Sequence, residues 1–224
     1  MKLKHLLLLP VVAFGLQACV NLNLKTTLPP QTYYSLDKEI ITPSCTGVLD
    51  NIKLETTVLS PYDTKDLLVV NSEGEVTSID SIKWVDLPQN MVRNLVVKLA
   101  LNNCIHVSTQ ASYSEKLDTL RLYVNDMHLV VANADELSTN PSLEKEYSSR
   151  IFLSYDLLSP NGVRLKSGVV LTTSKDKNPV YALQDAIKSA ASKVIGQVKA
   201  YNDGLKEIKN PSDDNTKPSQ RKGV

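Results

Sequence analysis

Residues 83–101, KWVDLPQNMVRNLVVKLAL, contain the clearest change of secondary structure in this chain. Pro88 suits the first turn of a helix. The N–H groups of that turn have no partner within the helix, so the missing N–H of proline costs no hydrogen bond there. The apolar residues that follow form one stripe opposite polar side chains. They are Met91, Val92, Leu95, Val96 and Leu99. The pattern predicts an amphipathic helix over residues 89–101, directly after a β-strand.

Trp84, the only Trp among 224 residues, lies where the predicted strand turns into this helix. A large aromatic side chain at such a turn is expected to fill the core, and Asp86 is expected to cap the helix. The alternative is that Trp84 belongs to an interface. A substitution separates the two interpretations, because a core residue affects stability and an interface residue affects binding.

Short β-prone segments lie on both sides of the first helix. Before it, strands are predicted over residues 32–36, 48–59, 67–71 and 76–79, and after it over residues 104–109. Ser72-Glu73-Gly74-Glu75 separates the third and fourth segments and is typical of a hairpin turn. The first half therefore predicts several strands interrupted by one helix.

The second half repeats this organisation with longer strands. Apolar alternation runs over residues 120–131 with a change of phase at 125–127, which predicts a β-bulge or a bend. Residues 151–157 and 163–171 alternate cleanly around Pro160-Asn161-Gly162, which predicts a hairpin. Asn178-Pro179 then begins a long amphipathic helix that extends to Tyr201.

These elements predict an α+β fold. We expect a mixed or antiparallel sheet of about six to seven strands, with two amphipathic helices covering one face. The uncovered face would be exposed to solvent or serve as an interface.

The segment before the domain is typical of a secretory signal peptide. Lys2 and Lys4 form a basic start, residues 6–16 are mostly apolar, and Leu16-Gln17-Ala18-Cys19 ends the segment, which is too short to span a bilayer. A small residue followed by Cys resembles the lipobox of bacterial lipoproteins, whose Cys is acylated and becomes the new N-terminus. An ordinary signal peptide with a Cys nearby, or an uncleaved anchor, is the alternative.

The domain organisation follows from these boundaries. We predict a signal peptide over residues 1–18, the lipidated Cys19 and a polar, proline-bearing spacer over 19–31, a single α+β domain over 32–205, and a disordered polar tail over 206–224. Val20 follows the Cys, where Asp is the commonest inner-membrane retention signal in enterobacteria. An outer-membrane lipoprotein facing the periplasm is therefore favoured, with the inner membrane as the alternative.

Composition limits the classes of partner. Hydrophobic residues make up 42% of the chain, which is ordinary for a globular fold. Removal of Lys2 and Lys4 leaves 23 of the 25 basic side chains against 24 acidic ones. This near-neutral balance gives no indication of nucleic-acid binding.

Few residues suggest chemistry. Cys45 and Cys104 are expected to form a structural disulfide in an oxidising periplasm, although two buried free thiols would give the same sequence. His106 and His128 have no second ligand at metal spacing, and no phosphate-binding loop or catalytic motif is present. The sequence therefore predicts no metal, no cofactor and no enzymatic activity.

Three segments together resemble a known family. Tyr33-Tyr34-Ser35-Leu36, the hairpin over residues 67–79 and Lys83-Trp84-Val85-Asp86-Leu87-Pro88, in this order after a lipobox, resemble the ABC-type transport auxiliary lipoprotein family, which includes the PqiC-like lipoproteins. The resemblance covers residues 19–201. The chain departs from the family in having Lys83 where Arg is usual, and Pro88 within the helix entry.

The resemblance implies a fold like the N-terminal domain of TolB and a protein without catalytic residues. It implies an outer-membrane lipoprotein that binds an MCE-domain protein and works with its ABC permease and ATPase to move phospholipids. Self-assembly into a homo-oligomeric ring is also implied. The motif residues, expected in the core or at an interface, are Tyr33, Tyr34, Leu36, Lys83, Trp84, Asp86 and Leu87. The alternative is a structural or assembly lipoprotein that scaffolds envelope proteins without carrying lipid.

Overall fold

The computed structural model describes residues 30–37, 45, 47, 50–108 and 116–209, with the backbone alone at 206–209. The predicted signal peptide, Cys19, most of the spacer and residues 210–224 lie outside the described residues. Almost all described residues belong to one compact unit that begins at Gln31. In this part of the chain no helix is both long and apolar enough to cross a membrane.

The described chain contains nine strands and three helices. In chain order they are β1 (Thr32–Tyr34), β2 (Asp50–Val58), β3 (Asp66–Val70), β4 (Val76–Trp84), α1 (Pro88–Asn102), β5 (Ile105–Ser108), β6 (Asp118–Val131), α2 (Ala134–Thr139), β7 (Tyr147–Leu158), β8 (Arg164–Thr172), β9 (Lys175–Asp176) and α3 (Pro179–Lys209).

All nine strands form one mixed sheet around β6. β7 pairs with β6 in antiparallel fashion along its length, and β8 and β9 pair with β7 in the same sense. On its other side β6 pairs in parallel with β2 and, near its end, with β3. β5 joins β2, β4 joins β3, and β1 joins β4. The predicted α+β fold with a mixed sheet is confirmed.

One face of this sheet is covered by α1 and α3. Leu120, Leu122 and Val124 of β6 are buried, whereas Arg121 between them is exposed. α1 packs on β2 and β5, α3 packs on β6, β7 and β8, and the two helices contact each other. The apolar stripes of the two predicted helices therefore form the core with one face of the sheet, and the other face is open.

The predicted turns and the predicted bulge are confirmed. β3 and β4 form a hairpin with Gly74 at φ 83°, and β7 and β8 form another with Gly162 at φ 78°. The register between β6 and β7 shifts between Val124 and Asp126, where the sequence changes phase. Positive φ values favour glycine because it has no Cβ, which accounts for glycine at both turns.

The main differences from the prediction concern β9, α2, β4 and α3. β9 has two residues and α2 has six, so neither is long enough to show a hydrophobic period. β4 extends to Trp84, beyond the predicted end at Ile79, because β1 pairs with its last three residues. α3 continues to Lys209, so the predicted tail begins four residues too early. Lys and Glu are good helix formers even where no apolar stripe continues.

Candidate functional site

The junction of β4 and α1 brings together two of the three segments on which the family resemblance rests. β1 and β4 pair in parallel, with Tyr33 opposite Lys83 and Tyr34 opposite Trp84. Trp84 is 1% exposed and Leu36 is 2% exposed, so both lie in the core, and Tyr34 packs against it. The backbone N–H of Trp84 donates to the backbone carbonyl of Lys65 at 2.7 Å. These three side chains fix the junction from inside.

Lys83 and Asp66 form an ion pair across the β3–β4 hairpin. Lys83 donates to the Asp66 carboxylate, and this bond lowers the pKa of Asp66 below its usual value, against a smaller opposing effect of burial. Both side chains are partly exposed. An ion pair of this kind contributes modestly to stability and mainly keeps the side chains in register.

The entry of α1 is capped differently from the prediction. Leu87 occupies the N-cap position and has no capping side chain, so the prediction that Asp86 caps the helix is wrong. Asp86 accepts the N–H of Leu87 at 2.7 Å, and this bond holds the pKa of Asp86 below its usual value. The Gln89 N–H, an orphan donor of the first turn, is bound by Asp63 at 3.1 Å. Asp63 comes from the loop after β2, so local sequence gave no signal for it.

The outer side of the same junction carries an apolar surface. Tyr33 is 58% exposed, Val85 is 53% exposed and Leu87 is 38% exposed. The Val85 N–H donates to the Tyr34 carbonyl at 2.9 Å, which places Val85 beside β1. We call Tyr33, Val85 and Leu87 the junction patch. Of the motif residues, Tyr33 and Leu87 are exposed and available to a partner, whereas Trp84 and Leu36 are buried.

A second apolar surface lies along β8. Val163 is 62% exposed, Val169 is 65% exposed and Leu171 is 53% exposed. Among the described strands β8 pairs only with β7, so its outer edge is unpaired. We call Val163, Val169 and Leu171 the β8 patch. It lies at the opposite edge of the sheet from β1, and unpaired apolar edges of this kind are natural sites of association.

The open face between these edges is polar. Glu55 on β2 binds Lys53 at 2.6 Å and Arg121 at 2.8 Å. Asp156 on β7 binds Arg164 on β8 at 3.1 Å. These side chains extend over four strands of the open face. Such a surface suits solvent or a polar partner rather than a lipid chain.

The described surface has a cleft of about 390 Å³ where β3 and β6 separate. β3 and β6 are joined at a single aligned pair, Val69 and Leu129, and diverge beyond it. The cleft walls are mainly apolar and include Val69, Val70, Val130, Val131 and Ala132. Asn71, Ser72 and Asp135 supply its polar rim. The cleft is open to solvent and contains no charged pair that would orient a substrate.

A partly buried polar cluster surrounds the bulge of β6. His128 is 8% exposed and stacks on Tyr62, with the ring centroids 5.7 Å apart. Asp126 accepts from Tyr62 at 3.3 Å and from Arg150 at 3.0 Å. Nδ1 of His128 is buried and has no hydrogen-bond partner among the described residues. Burial lowers the pKa of His128, and the attraction of Asp126 offsets this only partly.

His128 is predicted to make stability depend on pH. Because its pKa is lowered from the usual 6.5, the folded protein binds fewer protons than the unfolded chain as the pH falls below that value. Stability should therefore be complete above about pH 7 and should fall below pH 6.5. His128→Phe keeps the stacking on Tyr62 and should lose less stability than wild type between pH 7.5 and 5.5 in urea titrations. His106→Phe, at an exposed position on β5, should behave like wild type; equal slopes for all three proteins would contradict the prediction.

Cys45 and Cys104 form a disulfide in the structure. Cys104 lies directly after α1, and its φ of 57° places it in the left-handed conformation that commonly ends a helix. Its carbonyl accepts the N–H of Asp50, the first residue of β2, at 3.0 Å. The disulfide therefore ties the segment before β2 to the turn between α1 and β5.

The described residues offer little for catalysis. Within them, no group of three or more His, Cys, Asp or Glu side chains could hold a metal ion. His106 is exposed on β5, and His128 lies in the bulge cluster on β6, with β2 between the two strands.

Comparison with solved structures identifies the fold. Protein XCC0632 from Xanthomonas campestris, of the DUF330 family, is similar to this chain with a TM-score of 0.62 and 13% identity over 79% of this chain and 99% of that one. An uncharacterized protein is similar with a TM-score of 0.54 and 12% identity over 75% and 99%. No family model and no curated protein matches the sequence.

These two similarities establish a shared fold. At 12–13% identity they say nothing about partners or activity. Both solved chains are covered almost completely, so the α+β unit described here corresponds to the whole of each of them.

Proposed function

We propose that this protein is a non-enzymatic lipoprotein of an MCE and ABC-type lipid transport system. Lipid on Cys19 anchors it, in the outer membrane and facing the periplasm. Its folded domain binds the MCE-domain protein that works with the ABC permease and ATPase. Phospholipid is the proposed cargo of the system.

One observation carries this proposal. The two short motifs that resemble the family are separated by some fifty residues in sequence, yet Tyr33-Tyr34 and Lys83-Trp84 are aligned neighbours on β1 and β4. Leu36 and Trp84 are buried together in the same core. A resemblance by chance would not require the two motifs to meet in space. Their meeting supports the family assignment and, through it, the transport role.

The β8 patch is the surface that we assign to the protein partner. Its three exposed apolar side chains lie at a strand edge that pairs with no further described strand, where a partner strand or apolar surface can be added. A homo-oligomeric ring built through the same edge would compete with the partner for the β8 patch. The mass of the mature protein in solution is therefore measured together with partner binding.

Capture of the MCE protein tests this assignment. The wild-type mature chain should capture the MCE-domain protein, and Val169→Ser with Leu171→Ser should reduce capture at least tenfold. Tyr33→Ser with Leu87→Ser also replaces two exposed apolar side chains by Ser, but at the opposite edge of the sheet. This variant should leave capture unchanged. Equal capture by both variants would remove the β8 patch from the proposal, and no capture by wild type would oppose the transport role.

Cys19→Ser is predicted to abolish anchoring. Lipoprotein processing needs the thiol, so the variant should persist as an unprocessed precursor and fail to incorporate labelled palmitate. Two or three acyl chains hold a protein in a membrane essentially permanently, whereas one is marginal. Cell fractionation with palmitate labelling measures this. Unchanged outer-membrane fractionation of Cys19→Ser would contradict the lipid anchor.

The alternative function is a structural or assembly lipoprotein that scaffolds other envelope proteins without carrying lipid. The anchor and the open sheet would serve that role equally well. Gene neighbourhood separates the two, because adjacent permease, ATPase and MCE genes favour transport and their absence favours the scaffold. Lipid asymmetry in a deletion strain gives a second test, since only the transport role predicts that it is disturbed.

A further inference from the structure

We infer that the junction patch, Tyr33, Val85 and Leu87, rests on the lipid surface to which the protein is anchored. This inference depends on the lipid anchor of the proposed function and adds a second contact with the membrane. The partner is the interfacial layer of the bilayer, and not another protein.

The length of the tether brings this patch close to the membrane. Tyr33 follows Cys19 by about 14 residues, a span of at most about 50 Å when fully extended. A flexible chain of this length has a root-mean-square span of about 20 Å. The patch is therefore held near the membrane at a high effective concentration, and a weak intrinsic affinity is enough for contact.

The chemistry of the patch suits the interface between lipid and water. Tyr33 is 58% exposed and has an apolar ring with a polar hydroxyl, the combination that is enriched at membrane interfaces. Val85 and Leu87 add aliphatic surface beside it. All three lie on a junction that Trp84 and Leu36 hold rigid from inside, so little further ordering is needed on contact.

The charges around the patch indicate which lipids it contacts. Lys83 is paired with Asp66, and Lys65 donates to the carbonyl of Val85 at 3.2 Å. The half-buried Asp86 lies between Val85 and Leu87 in the chain. This balance lacks the cluster of basic residues that attracts anionic lipids. The contact should therefore be made with neutral lipid and should depend little on salt.

The β8 patch provides a matched comparison. Its three apolar residues are at least as exposed as those of the junction patch, but they lie at the other edge of the sheet. Exposure alone would favour β8 as the membrane contact. Attachment of the tether at β1 favours the junction patch, and the two can be separated by substitution.

The experiment uses the mature chain with one acyl chain. With Cys45 and Cys104 bridged, Cys19 is the free thiol to which a maleimide with a single 14-carbon chain can be coupled. One such chain binds membranes with an association constant of only about 10⁴ M⁻¹, so a second contact is measurable. Partition onto phosphatidylcholine vesicles is measured by sedimentation for wild type and two triple variants.

Tyr33→Ser, Val85→Ser and Leu87→Ser together should lower the partition coefficient at least fivefold. Val163→Ser, Val169→Ser and Leu171→Ser together should leave it unchanged, and 0.5 M salt should change neither result. Thermal unfolding of both variants verifies that they are folded. Equal partition of the two variants would overturn the inference.

A second result would also overturn it. If the junction variant keeps vesicle partition but loses capture of the MCE protein, the patch is a protein interface. Failure of this inference can be distinguished from failure of the proposed function. The acyl chain is attached chemically, so vesicle partition requires neither lipoprotein processing nor an MCE partner. Loss of MCE capture by wild type would leave the vesicle result untouched.

Discussion

Trp84→Ala should lower the free energy of unfolding by about 3–5 kcal/mol, the range for removing a large buried aromatic side chain. The ring is 1% exposed and belongs to the core shared by the sheet and both long helices. Removing it leaves a cavity at the junction that holds β1, β4 and α1 together. Typical domains are stable by 5–15 kcal/mol, so the variant should lose a large part of its stability. Urea unfolding followed by circular dichroism measures this.

Val85→Ala is the matched control. Val85 is adjacent in sequence and 53% exposed, so its truncation should change stability by no more than about 0.5 kcal/mol. Trp84→Phe should fall between the two. A near-neutral Trp84→Ala that has lost partner binding would make Trp84 an interface residue and would contradict the position of the ring in the core.

Removing the disulfide should cost about 4 kcal/mol. The two cysteines are 59 residues apart, and closing a loop of this length restricts the unfolded chain by about that amount on the chain-entropy model. Cys45→Ser with Cys104→Ser should show this loss in urea unfolding. Wild type treated with reductant should approach the same stability.

Two controls separate the bridge from other effects of the cysteines. Reductant should not change the double variant, and Cys19→Ser in the mature domain should leave stability unchanged. In the mature chain prepared without lipid on Cys19, thiol counting should find one free thiol when the chain is oxidised and three after reduction. If the double variant is as stable as wild type, the bridge makes no net contribution.

Local pattern predicted much of the architecture. Alternation in β6 and β7 and the 3.6-residue stripes of α1 and α3 follow directly from which faces are buried. Gly74 and Gly162 were predictable because each turn requires positive φ. Trp84 could be placed in the core because a single large aromatic residue lies where strand becomes helix.

The remaining features depend on contacts between distant segments. Asp63 accepts the N–H of Gln89 in the first turn of α1, 26 residues further along the chain. No local sequence motif predicts such a contact from a preceding loop. Gln184 of α3 donates to the Ser35 carbonyl, which fixes the chain after β1 across 149 residues. Exposure of Tyr33 and Leu87 depends on what covers them, so the motif could not be divided into buried and exposed parts beforehand. The cleft where β3 and β6 diverge could not be predicted either, because it depends on how two distant strands are placed.

Two edge strands of the described sheet, β1 and β8, carry different surfaces. β1 is the strand nearest to Cys19 in the chain and contributes Tyr33 to the junction patch. β8 has exposed apolar residues, and its outer edge pairs with no strand in the described part of the chain. A polar open face with ion pairs separates them. Our two proposals assign the membrane contact to the β1 edge and the protein partner to the β8 edge.

Photo-crosslinking in intact cells tests the central claim most directly. A photoreactive residue is placed at Val169, or at Val85 as the comparison site, in the full chain expressed at its natural level. We predict that Val169 crosslinks to an MCE-domain protein, identified by mass spectrometry, and that Val85 does not. Crosslinks from Val169 only to other envelope proteins, with no MCE-domain protein at either site, would contradict the account and favour the scaffold.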